Sequence, residues 1–126
     1  MTPRSVLVVD DHPMNVKLLT FVLRGRGLEV RTARSAEEAL AEIESALPDL
    51  VLMDVQLPGT DGLTLTRQLR ADRRFRDLLI VAVTAYAMDR DRIAAFAAGC
   101  NAFVSKPIDT RAVGELVQRL LAERGS

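Results

Sequence analysis

Leu50-Val51-Leu52-Met53-Asp54-Val55-Gln56-Leu57-Pro58-Gly59-Thr60-Asp61-Gly62 is the stretch whose reading decides the fold. Its first four residues are apolar without interruption, which predicts a strand covered by helices on both faces. Asp54 closes the run, and the Pro-Gly-Thr-Asp-Gly segment behind it has the chemistry of a turn leading into a helix. Three other apolar runs end in the same way. Val6-Leu7-Val8-Val9 meets Asp10-Asp11, Leu79-Ile80-Val81-Ala82-Val83 meets Thr84, and Ala102-Phe103-Val104-Ser105 meets Lys106. In an open parallel sheet the carboxyl ends of neighbouring strands face one crevice. These residues are therefore expected to converge on one acidic pocket holding one cation.

The remaining stretches supply the helices. The first strand is read over Ser5–Val9, and a helix follows from Pro13, a good first-turn residue. Met14, Leu18, Leu19, Val22 and Leu23 are read as its inward stripe, with Gly25 and Gly27 ending it. Leu28–Ala33 alternates apolar with polar residues and reads as an edge strand. Ser35-Ala36-Glu37-Glu38 is a capping box, with Glu38 expected to reach back to the serine amide. Ala39, Leu40, Ile43 and Leu47 form the next stripe, closed by Pro48; Leu65 and Leu69 point inward from a third helix. Asp89–Ala98 is a fourth, stopped by Gly99. Thr110–Glu123 is a fifth, with Val113, Leu116, Val117, Leu120 and Leu121 inward. Its outer side repeats Arg111, Glu115, Arg119 and Glu123 at four-residue spacing. Five strands alternating with five helices over short connections predict an α/β fold with a parallel sheet. Strands one, three and four are expected to be central.

A chain of 126 residues, 48% apolar and 27% charged, has the makings of one soluble domain. Lys+Arg and Asp+Glu both total 17, which argues against a nucleic-acid footprint. The arginine-rich stretch Arg67–Arg76 is broken by Asp72 and reads as a solvated helix end. Cys100 is the single cysteine, so no intrachain disulfide can form, and it reads as a packing residue in a reducing compartment. No segment resembles a signal peptide or a membrane span, and a cytoplasmic location is expected.

Asp10, Asp11 and Asp54 together would place up to three negative charges within a few ångströms. At an effective dielectric near 20, each like pair about 4 Å apart costs about 4 kcal/mol. One ammonium group, Lys106, cannot offset this. All-oxygen ligands without a histidine or cysteine cluster favour Mg2+. A carboxylate can attack phosphorus to form an aspartyl phosphate, and Asp54 is the candidate acceptor because it stands singly after a central strand. Thr84 offers a hydroxyl and Lys106 a point charge to phosphoryl oxygens. Taken singly, an acid after a strand is usually a cap or turn former, and a lone lysine a solvated charge. Four matched strand ends make coincidence a poor explanation. His12 reads as a surface loop residue.

Val8-Val9-Asp10-Asp11, Leu52 to Gly62 as quoted, Val83-Thr84-Ala85 and Ser105-Lys106-Pro107 resemble the receiver domain of two-component response regulators. A closer likeness, through Val81–Met88, Gly99-Cys100 and Phe103–Ile108, is to single-domain members that regulate the cell cycle. The resemblance implies a flavodoxin-like, doubly wound five-stranded parallel sheet in the order 2-1-3-4-5, flanked by five helices. It implies Asp54 as the phosphorylated residue and Asp10, Asp11, Asp54 and the carbonyl of Gln56 as Mg2+ ligands. Thr84 would be the switch hydroxyl, Lys106 the phosphate-binding lysine and Phe103 the switch aromatic, where many relatives carry tyrosine. A cis peptide between Lys106 and Pro107 is also implied. Residues 1–126 are expected to be a single receiver domain without an effector domain.

The function so implied is that of a phosphoacceptor rather than a turnover enzyme. A histidine kinase or histidine phosphotransfer protein would pass a phosphoryl group to Asp54. A downstream protein would then read the face made by helix four, strand five and helix five, with neither nucleic acid nor membrane as partner and a weak homodimer as an option. One alternative is a receiver module excised from a hybrid histidine kinase or multidomain regulator. Another is an aspartate-nucleophile phosphatase, which usually needs an acid two positions after the nucleophile, where this chain has Gln56. A flavin carrier on the same fold would want a small-residue phosphate loop in place of Asp10-Asp11-His12-Pro13, and an interaction module with a dead pocket would bind no metal.

Overall fold

The structure is a computed structural model and describes residues 3–125. The strands are β1 (Ser5–Val9), β2 (Glu29–Ala33), β3 (Leu50–Asp54), β4 (Leu79–Thr84) and β5 (Ala102–Ser105). The helices are α1 (Pro13–Gly25), α2 (Ala36–Ser45), α3 (Gly62–Ala71), α4 (Asp89–Ala98) and α5 (Thr110–Gly125). All strand pairs are parallel, in the order β2-β1-β3-β4-β5. β2 is therefore an edge, as its alternation implied, and every residue of β3 is buried.

Successive strand residues feed two separate cores, which is why the central runs are apolar throughout. Val6, Val8, Leu50, Leu52, Val81 and Val83 pack with Leu19 and Leu23 of α1 and Val113, Val117 and Leu121 of α5. Leu7, Val9, Val51, Met53, Ile80 and Ala82 face Ala39 and Ile43 of α2, Leu65 and Leu69 of α3 and Ala95 of α4.

Register brings the strand ends level. Val9 pairs with Met53, Asp54 with Val83, and Thr84 with Ser105, so Asp10 and Lys106 follow directly on paired positions. Gly62 lets α3 begin hard against β3, because a Cβ there would lie 2.5 Å from the Asp54 carbonyl oxygen.

Several local expectations are corrected. Met14 and Leu18 are exposed, at 75% and 42%, while Val16, Leu19 and Leu23 face the core. Apolar residues occupy both sides of α1, so periodicity alone could not orient it. Leu47 lies beyond the end of α2 and is exposed. Ser35 caps α2 by accepting the Glu38 amide, but the Glu38 carboxylate accepts from the Arg34 amide, not from that of Ser35. A 3-10 turn at Arg73–Phe75, absent from the sequence reading, buries Phe75.

Arg70 is not the solvated charge expected of its stretch. Its guanidinium donates to the carbonyls of Gly99 (2.9 Å), Phe75 (2.9 Å) and Arg76 (3.1 Å) and to Asn101 Oδ1 (2.8 Å). Asn101 Oδ1 also accepts from the Ile80 amide, so one side chain ties α3 to the starts of β4 and β5. Gly99, at φ +112°, supplies the left-handed turn that aims its carbonyl there. Arg70→Met keeps the stem and removes every donor; it is expected to lower stability by about 2–4 kcal/mol in urea unfolding. A loss below about 0.5 kcal/mol would show the carbonyls to be satisfied by water instead.

Candidate functional site

The carboxyl-terminal ends of β1, β3 and β4 and the residue after β5 meet in one pocket. Asp10, Asp54 and Thr84 are each only 2% exposed. Asp10 Oδ1 accepts from the His12 amide at 2.8 Å, and its Oδ2 from Asn15 Nδ2 at 3.4 Å. Asp54 Oδ1 accepts from the Gln56 amide at 3.0 Å, and Oδ2 from Lys106 Nζ at 3.0 Å. The same ammonium stands 4.0 Å from Asp10 Oδ2. The Lys106 amide donates to the Thr84 carbonyl (2.8 Å), which fixes where its side chain leaves the sheet, and the Lys106–Pro107 peptide is cis.

Asp11 completes the acidic group. Its Oδ1 is buried, yet no hydrogen-bond donor among the described residues satisfies it. His12 Nδ1 lies 3.4 Å from Asp11 and 3.5 Å from Asp10 on a side chain that is 67% exposed, so His12 is a loop residue at the rim. One oxygen each from Asp10, Asp11 and Asp54 and one His12 nitrogen lie within 4.8 Å of one another. Three carboxylates against one ammonium leave an excess of negative charge. A buried carboxylate oxygen with no donor, set among two further carboxylates, is the arrangement a cation would satisfy. The donor set is oxygen-dominated and fits a hard divalent ion such as Mg2+.

Thr84 Oγ1 accepts from the Tyr86 amide and from Gln56 Nε2, both at 3.0 Å. Behind it is a cavity of about 80 Å³ lined by Val55, Gln56, Leu63, Thr84, Ala94 and Phe103, among others. Phe103 is only partly buried beside the core. Asp10, Asp11, Asp54, Gln56, Thr84, Phe103 and Lys106 thus surround this pocket or the cavity behind it. Asn15, the Tyr86 amide and the Gln56 side chain were missed. Asn15 carried a faint signal, a polar residue one turn after the acidic pair. Cys100 is remote from the pocket, buried beside Thr66, and burial pushes its thiol up.

Burial raises the Asp54 carboxyl above its ordinary value of 3.8, and the nearby Asp10 charge adds to the effect. The hydrogen bonds from Lys106 and the Gln56 amide oppose burial without cancelling it. A raised folded-state pKa means that the ionised form is disfavoured by folding. The penalty is full above the folded pKa and fades as pH falls toward the unfolded value. Asp54→Asn is therefore expected to stabilise the metal-free protein at neutral pH. That advantage should shrink as pH falls toward 3.8. Paired melting curves across pH test this; an advantage constant with pH would contradict the burial account.

Residues 6–119 match the response regulator receiver domain. The chain belongs to that family. It is 37% identical over 121 residues to the polar-differentiation response regulator DivK of Brucella anthropi, covering 96% of this chain and 98% of that one. A crystal structure of a candidate response regulator from Chloroflexus aurantiacus superposes with a TM-score of 0.91 at 40% identity, over 96% of this chain and 99% of the other. A CheY-like receiver domain protein of Methanospirillum hungatei gives 0.90 at 29% identity, over 98% of each chain. The fold is thus that of CheY-like receivers, and the receiver's place is in two-component signalling. No helix among the described residues of this receiver is long and apolar enough to cross a membrane.

Proposed function

We propose that this receiver is a cytoplasmic phosphoacceptor switch that takes a phosphoryl group onto Asp54. The observation that carries the reading is the buried Asp54 carboxylate, held between the Lys106 ammonium and the Gln56 amide beside an acidic group that calls for a divalent cation. Asp10, Asp11, Asp54 and the backbone carbonyl of Gln56 would hold Mg2+, which when bound neutralises charge on the phosphoryl oxygens. The donor is a phosphohistidine on a kinase or phosphotransfer protein. An Asp54 oxygen forms the new P–O bond as the P–N bond breaks, and the imidazole departs with the electron pair.

Lys106 then serves the phosphoryl group rather than the free carboxylate, and Thr84 donates its hydroxyl proton to a phosphoryl oxygen. Movement of Thr84 opens the cavity behind it to Phe103. These steps bias a two-state equilibrium rather than create a new fold. The output face is the surface of α4, β5 and α5, read by a partner protein. Tyr86, Met88, Ile93 and Phe96, exposed by 64%, 61%, 69% and 46%, supply apolar contact on or just before α4. The amide of Gln56 bonds Thr84 and offers no acid for turnover of free phosphomonoesters, which favours a signalling protein over a phosphatase. Transfer of label to Asp54 from a phosphorylated histidine partner, dependent on Mg2+, is the test; release of free phosphate from monoesters would favour the phosphatase.

A further inference from the structure

Gln56 touches three parts of the pocket at once. Its backbone amide donates to Asp54 Oδ1 and its side-chain amide to Thr84 Oγ1, both at 3.0 Å, and the residue lines the cavity that Phe103 borders. A hydroxyl oxygen accepts two hydrogen bonds and donates one. Both acceptor positions of Thr84 are filled, by Gln56 Nε2 and the Tyr86 amide. The Tyr86 bond comes from the threonine's own loop and can travel with it. The Gln56 bond comes from the loop after β3, 28 residues away in sequence, and ties the hydroxyl to a different strand.

We propose that Gln56 is a positioning residue acting as a resting-state latch: its side-chain amide holds Thr84 in place, so that the hydroxyl, whose own proton stays available to a phosphoryl oxygen, leaves its resting position only when the bond it donates there outweighs the bond it accepts from the latch. The inference rests on the phosphoacceptor reading above and adds to it the group that sets how much of the unphosphorylated protein is already switched. The hydrogen bond is of ordinary length, part-buried and neutral. Losing a bond of that kind from one state of a two-state equilibrium shifts the ratio by roughly two- to tenfold.

The experiment follows the Thr84 methyl and a fluorinated phenylalanine at position 103 by NMR, in parent and variants, without phosphodonor. Gln56→Met keeps length and removes the amide. It should move both signals toward their phosphorylated positions, raising the switched population roughly two- to tenfold. Gln56→Glu restores a partner of opposite polarity, a carboxylate accepting the threonine proton, and should return the population toward the parent's. Gln56→Ala repeats the first arm should the methionine variant not fold. Signals unmoved by loss of the amide, or moved away from the phosphorylated positions, overturn the latch. Failure of the parent to phosphorylate at Asp54 overturns the phosphoacceptor reading instead, so the two failures are distinguishable.

Discussion

Asp54→Asn is expected to reduce phosphoryl incorporation from a small phosphodonor with Mg2+ to background, while the folded domain is kept. The carboxylate is the nucleophile, and the neutral amide oxygen that replaces it is a far poorer one. Asparagine is close in shape, can still accept from the Gln56 amide and Lys106, and removes a charge whose burial disfavours it. Loss of labelling in a protein of equal or higher melting temperature would separate chemistry from folding. Persistent stoichiometric labelling would show the acceptor to be elsewhere.

Asp11→Asn should carry the second largest effect, on the metal. Asp11 Oδ1 is buried without a hydrogen bond, with only the exposed His12 imidazole 3.4 Å away, so it has little to lose there and a cation to gain. Changes to groups that merely support metal ligands weaken affinity on the order of 10- to 100-fold. A direct ligand should lie at the upper end, about 100-fold or more, and labelling at fixed Mg2+ should fall in parallel. The metal-free variant should be the more stable one. Each like-charge pair about 4 Å apart at an effective dielectric of 20 costs about 4 kcal/mol before screening, and one acid fewer relieves part of that. Calorimetric Mg2+ titration and metal-free melting provide the two readings. Unchanged affinity would remove Asp11 from the ligand set.

Much of this architecture could be read before any coordinates. Leu50–Met53 announced a strand buried on both faces because each of these four residues serves one of two cores, and β2 announced an edge by alternating. The acidic pocket was legible because parallel register forces Asp10 and Asp54 to the same level, whatever the side chains between. The facing of α1 was not, since Met14, Leu18 and Phe21 offer an apolar stripe as convincing as Val16, Leu19 and Leu23. Arg70 looked like its solvated neighbours, since the carbonyls it satisfies belong to turns whose geometry no periodicity encodes. The bond from Gln56 to Thr84 was invisible for a related reason. It depends on how two loops approach across β3 and β4, and glutamine carries no signature of its partner.

The most direct test of the central claim is chemical mapping of the adduct. An acyl phosphate is reduced by borohydride to an alcohol, which converts the aspartate bearing it to homoserine. Peptide mapping after incubation with a small phosphodonor and borohydride is predicted to place homoserine at position 54, with Mg2+ present and not with chelator. Homoserine at another acid, or at position 54 irrespective of Mg2+, would contradict the account.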